Sequence, residues 1–123
     1  MIIKTRRLFL TLFSTLLLSA CSPHPGSGIW VPLNDREAPY AKLEVLFEGR
    51  AELFVPGREE HLYRCFWGGA GSNSIQLECV SADNETVKPQ FTFRVAADGT
   101  GELIESGQTI GIFRRTDEKP TRQ

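Results

Sequence analysis

Three cysteines, two histidines and a few adjacent acids are the residues of this 123-residue chain best equipped for chemistry. Cys65 and Cys79 form a Cys-x13-Cys pair, and Cys21 stands far upstream of both. A structural zinc site needs further ligands at short spacing, and a redox-active dithiol needs Cys-x-x-Cys. Neither pattern is present, so Cys65 and Cys79 are expected to form a structural disulfide. His24 lies among prolines, and His61 opens a strand after Arg58-Glu59-Glu60. Both read as solvated side chains, not as bases or ligands. Glu59-Glu60 and Asp117-Glu118 are neighbours, and neighbours in extended chain face opposite ways, so neither pair makes an acid/base couple by itself. The glycine-rich run 68–73 falls between two strands, whereas a phosphate cradle needs a helix N-terminus behind it. No nucleophile elbow, His-Glu-x-x-His or P-loop occurs. The expectation is therefore no catalytic residue, no metal, no cofactor and no enzymatic activity.

Cys21 has a different context. Lys4, Arg6 and Arg7 are followed by residues 8–18, which carry no charge, and then by Leu18-Ser19-Ala20-Cys21. A positive start, a short apolar run and a small-residue exit describe a secretory signal peptide over residues 1–20. The run is too short for the roughly 20 apolar residues of a spanning helix. Leu18-Ser19-Ala20-Cys21 resembles the lipobox of bacterial lipoproteins. That resemblance implies a diacylglyceryl group on Cys21, which becomes the mature N-terminus and is often further acylated, as with palmitate. Two or more acyl chains anchor a protein stably, where one does so marginally. Ser22 after the cysteine resembles the outer-membrane sorting pattern, which places the domain at the outer membrane, facing the periplasm. Residues 21–28, rich in Pro, Gly and Ser, read as a flexible tether behind the lipidated cysteine. Three of the 14 Lys and Arg precede residue 21 and none of the 15 acids does, so the rest of the chain has a formal charge of −4. This charge argues against nucleic acid as a partner, and against an electrostatic grip on anionic lipid.

The elements behind the tether read as β. No apolar pattern keeps a 3.6-residue period for three turns, and short apolar runs alternate between turn signals. Strands are expected at 29–33, 41–47, 51–55, 62–67, 74–81, 90–97, 101–105 and 109–114. Turns are expected at Glu48-Gly49-Arg50, Pro56-Gly57, Asp98-Gly99 and Ser106-Gly107. Pro32 suggests an edge position for the first strand. An odd loop of three residues would pair Phe47 with Ala51, Val45 with Leu53 and Leu43 with Val55, so that the whole apolar set shares one face. Setting Cys65 opposite Cys79 pairs Trp67 with Leu77 and Tyr63 with Ser81, and puts Ile75 on the same face. The register that joins the cysteines also unites the apolar residues. Such a bridge, closing about 15 residues, contributes about 3 kcal/mol in the chain-entropy model.

The whole is one all-β domain over 29–115: a small antiparallel meander of about eight short strands, forming a curved sheet or compact barrel, with a disordered tail at 116–123. Gly28-Ile29-Trp30 and Phe91-Thr92-Phe93 with Asp98-Gly99-Thr100 resemble positions of small lipocalin-type barrels. Leu46, Phe54, Leu62 and Phe66 fall on the opposite face from the apolar set and are the candidate binding surface. Two functions follow as expectations. One is an envelope lipoprotein that binds a protein partner or assists assembly. The alternative is a carrier of a small apolar ligand in a barrel cavity lined by Phe91, Phe93 and a tryptophan. In size, β content and disulfide the chain is similar to periplasmic lysozyme inhibitors, but it lacks their Ser-Gly-x-x-Tyr loop.

Overall fold

A computed structural model describes residues 23–34 and 39–118. The expected signal peptide, Cys21, Ser22 and residues 119–123 of the expected tail lie outside the described residues. Eight strands follow one another: β1 Gly28–Pro32, β2 Lys42–Val45, β3 Arg50–Phe54, β4 Tyr63–Gly69, β5 Ser74–Ser81, β6 Gln90–Val95, β7 Gly101–Glu105 and β8 Gln108–Thr116. Each pairs antiparallel with the next, and β8 returns to β1, so the sheet is a closed barrel. Closure removes the exposed strand edges that invite aggregation.

The Cys65–Cys79 disulfide spans β4 and β5 in the expected register, with Trp67 opposite Leu77 and Tyr63 opposite Ser81. Cys79 sends its backbone N–H to Pro89 on the other side. The cysteines are therefore a non-hydrogen-bonded pair, the closer of the two antiparallel spacings, and side chains there meet easily.

Two expectations need correction. The β2–β3 register is offset by two residues: Val45 faces Ala51 and Leu43 faces Leu53. The loop is still odd, but its three residues are 47–49, closed by the Leu46 N–H to Arg50 carbonyl bond of 2.8 Å. Gly49, at φ 86°, takes the left-handed position that a three-residue hairpin requires at its end. Moving the turn by one residue keeps Leu43, Val45, Ala51 and Leu53 inside but puts Phe47 at the tip, 76% exposed. Pro32 is not on an edge strand, because β1 is paired on both sides. Leu33 donates its N–H to Ile112 of β8, so the nitrogen of Pro32 points the other way, where the ladder with β2 has already ended at Trp30. The proline sits where no donor is needed.

Inside, Trp30, Phe91, Phe93 and Phe113 pack with Leu43, Leu53, Ile75, Leu77 and Leu103, all at most 1% exposed. Trp30 meets Phe93 edge-on at 4.9 Å and Phe93 meets Phe113 at 6.2 Å. One end is covered by Tyr40, which contacts the Tyr63 and Phe91 rings. The room for these rings comes from small neighbours. A Cβ on Gly101 would strike the Phe93 ring, and one on Gly111 would stand 2.9 Å from Phe113. Gly101→Ala is therefore expected to lower stability by about 1–3 kcal/mol through overpacking. Urea unfolding followed by tryptophan fluorescence measures it, and an unchanged midpoint would show that the interior has slack.

Candidate functional site

The two ends of the barrel differ in sequence. The apical end carries residues 33–34 and 39–41 and the connections 55–62, 82–89 and 106–107. The basal end carries the turns 46–49, 70–73 and 96–100, and both ends of the β domain leave from it. Residues 24–28 do not form the free tether expected from composition. They pack across the basal mouth. Ser27 donates its N–H to the His24 carbonyl at 3.0 Å, and the Trp30 indole donates to the Gly26 carbonyl at 3.0 Å. The Arg115 guanidinium lies 4.4 Å over the Trp30 ring and donates to the carbonyls of Pro25 and Ser27. Gly28, at φ 126°, turns the chain into β1, and a Cβ there would sit 2.7 Å from the same guanidinium. His24 is held from both nitrogens. Its Nδ1 accepts the Gly26 N–H at 3.0 Å, so its Nε2 carries the proton that it donates to the Gly71 carbonyl at 2.9 Å. Its ring also meets the Trp67 indole edge-on at 6.0 Å.

The expected binding residues are not one patch. Phe54 is buried, 4% exposed, beneath the Lys42 ammonium 4.4 Å from its ring and beside the His61 imidazole. Leu62 is half-buried next to it at the apical end of the wall. Leu46 is half-buried at the basal end, where its carbonyl accepts the Trp67 indole N–H at 2.7 Å. Of the four, Phe66 alone stands open, 68% exposed on the outer wall of β4 with Glu78 opposite it on β5. Shallow hollows of about 310 and 270 Å³ flank it. One runs to Trp67, Gly69 and Gln76, the other to Val80, Lys88 and Pro89. Leu33 and Ile112, 55% and 41% exposed, are a second open apolar pair, where β1 meets β8.

A group of charged residues on the wall was missed by the sequence reading. Glu44 and Glu52 are cross-strand neighbours on β2 and β3, and both are buried. Lys42 Nζ stands 3.4 Å from Glu44, and His61 Nδ1 stands 3.4 Å from Glu52. Each carboxylate thus has its own nitrogen partner. The signal lay in the period-two pattern, but only the true register sets the two acids opposite each other. Elsewhere Arg58 forks onto Asp83 at 2.8 and 3.0 Å, and those hydrogen bonds hold the Asp83 carboxyl below its ordinary range. Backbone and side-chain hydrogen bonds from Thr100 do the same for Asp98 at the basal turn. Among the described residues no three His, Cys, Asp or Glu side chains are grouped to hold a metal ion.

No protein-family model, curated protein or solved structure matches this chain.

The apical cap makes a measurable prediction. Burial pushes the Tyr40 phenol up to about 12, and Tyr63 and Glu105 beside it add to the shift. The unfolded phenol ionises near 10, so the unfolded chain loses this proton first as pH rises. The stabilisation is fully present below pH 10 and is lost between about 10 and 12. Phenolate absorbance should show one tyrosine ionising near 12, and Tyr40→Phe should remove that step. If no phenol ionises near 12, the cap is open to water.

Proposed function

We propose that this chain is a lipoprotein of the bacterial cell envelope, cleaved before Cys21 and acylated there. The lipid holds it at the outer membrane, with the barrel facing the periplasm. There the barrel serves as a non-catalytic protein-binding or assembly accessory module. The observation that carries the binding part is Phe66, a large ring 68% exposed between two hollows on a wall whose other aromatic, Phe54, is covered. Aromatic side chains set in such relief are the usual anchors of interfaces. The location rests on the order of charge, apolar run and small residues ending in Leu18-Ser19-Ala20-Cys21. A paired Cys65 and Cys79 suits the same oxidising compartment.

The interior weighs against carriage of a small apolar ligand, because Trp30, Phe91, Phe93 and Phe113 occupy the space such a ligand would need. Both nitrogens of His24 are committed, to Gly26 and Gly71, which leaves that side chain no nitrogen to act as a base.

Incorporation of a photoreactive phenylalanine at position 66 in growing cells tests the binding reading. One discrete adduct is expected from position 66 and none from position 87, on the apical connection. The adduct should disappear in a Cys21→Ser chain, which cannot be acylated at that position. Phe66→Ala should weaken co-purification of the captured partner by about tenfold or more, as loss of an interface anchor does. Equal capture from both positions, or none from 66, would reject Phe66 as the contact.

A further inference from the structure

The packing of residues 24–28 shortens the leash on the lipid. His24 is fixed to the 70–73 turn by its bond to Gly71 and to β4 by its contact with Trp67. Three Cα-to-Cα steps separate it from Cys21, and extended chain covers at most about 3.6 Å per step. The Cα of Cys21 therefore lies within about 11 Å of the Cα of His24. A bilayer's polar layer is about 5–7 Å thick on each side of the hydrocarbon. Acyl chains on Cys21 cannot enter a bilayer unless the basal end of the barrel stands at its surface.

The basal end is suited to that position. At its rim the 47–49 hairpin presents Phe47, 76% exposed and the most open large apolar side chain among the described residues. The turn is tied into the barrel by the Trp67 N–H to Gly49 carbonyl bond of 2.9 Å and by the Trp67 indole bond to Leu46. The other basal turns are small and mostly uncharged: Ala70-Gly71-Ser72-Asn73 and Ala96-Ala97-Asp98-Gly99. The acids present are engaged, Glu48 by Arg50 at 2.8 Å and Asp98 by Thr100. Asp117 follows β8 and is exposed, and Glu118 turns back along the outer wall to line a hollow with Lys42, Phe54 and Arg58. The apical connections carry Arg58, Glu59, Glu60, Asp83, Glu85 and Lys88, which would lose hydration against lipid. A large apolar side chain at a membrane surface can leave water by entering the headgroup–acyl boundary, as Phe does on interfacial elements.

We infer that the basal end of the barrel is a membrane-contact surface, with the Phe47 hairpin seated in the interface of a phospholipid bilayer beside the lipid of Cys21. This inference rests on the lipoprotein reading above and adds an orientation to it. The barrel stands on its basal turns, its apical connections face away from the membrane, and Phe66 on the side wall stays accessible to a partner.

The test uses the full chain produced in cells, purified with its lipid and reconstituted into phosphatidylcholine vesicles with or without brominated acyl chains. Phe47→Trp and Val87→Trp add a reporter at the basal and apical ends, and the unsubstituted chain gives the background from Trp30 and Trp67. Both positions are exposed, so the core is untouched. Bromolipid is expected to quench the added F47W emission at least twofold and to leave the added V87W emission unchanged. Vesicle flotation and the mass of the N-terminal peptide report the anchor separately. An acylated chain that floats with F47W unquenched, or with both reporters quenched alike, overturns the orientation while the anchor stands. A chain that neither carries lipid nor floats overturns both.

Discussion

The contact between Arg115 and Trp30 is the interaction on which the rest of the arrangement depends. It joins the last strand to the first, where the meander becomes a barrel. The guanidinium covers the indole ring and holds the carbonyls of Pro25 and Ser27, so one side chain supports closure, caps the basal core and folds the N-terminal segment onto the mouth. A cation over a desolvated tryptophan contributes up to about 2 kcal/mol, and bonds from a charged donor to carbonyls add to that. Without this contact the eight strands could still form hairpins, but the segment behind Cys21 would have the freedom its composition suggests. With it, the distance from the proposed acylation position, Cys21, to the domain is set by the two residues Ser22 and Pro23.

Closure also decides what the interior can do. The strands are short, between four and nine residues, and the barrel they make is filled by its own rings. Gly101 and Gly111 give up side chains so that Phe93 and Phe113 can lie flat inside. The chemistry of recognition is thereby moved to the outside wall. There most apolar surface is covered, Phe54 by Lys42 and His61 for example, and Phe66 is not. The disulfide fixes the β4–β5 pair that displays this ring, so the bond that stabilises a small domain also stiffens its candidate contact surface.

Much of this was legible in the residues, and the parts that were not have a common cause. The Cys65–Cys79 register could be read because two independent local signals agreed, a pair of thiols and a period-two apolar pattern. The β2–β3 parity was legible for the same reason. Its turn was misplaced by one residue because two odd loops satisfy the parity equally and only the left-handed Gly49 separates them. The burial of Phe54 was not legible, since its cover comes from Lys42 across the hairpin and from His61 in a connection that folds back. Nor was the ordering of residues 24–28, which depends on Arg115 at the far end of the chain and on Gly71 in a distant turn. Local alternation specifies the strands, while long-range contacts made by single polar side chains specify what is exposed and what is tied down.

The central claim is that this barrel is held to a membrane through Cys21 on a leash too short to let it leave the surface. Intact-mass measurement of the protein extracted from membranes, with sequencing of its N-terminal peptide, tests that claim most directly. The expected chain begins at Cys21 and carries a diacylglyceryl group on its sulfur, with or without a further acyl group on its amine. A chain that begins elsewhere, or begins at Cys21 with an unmodified thiol, would contradict it.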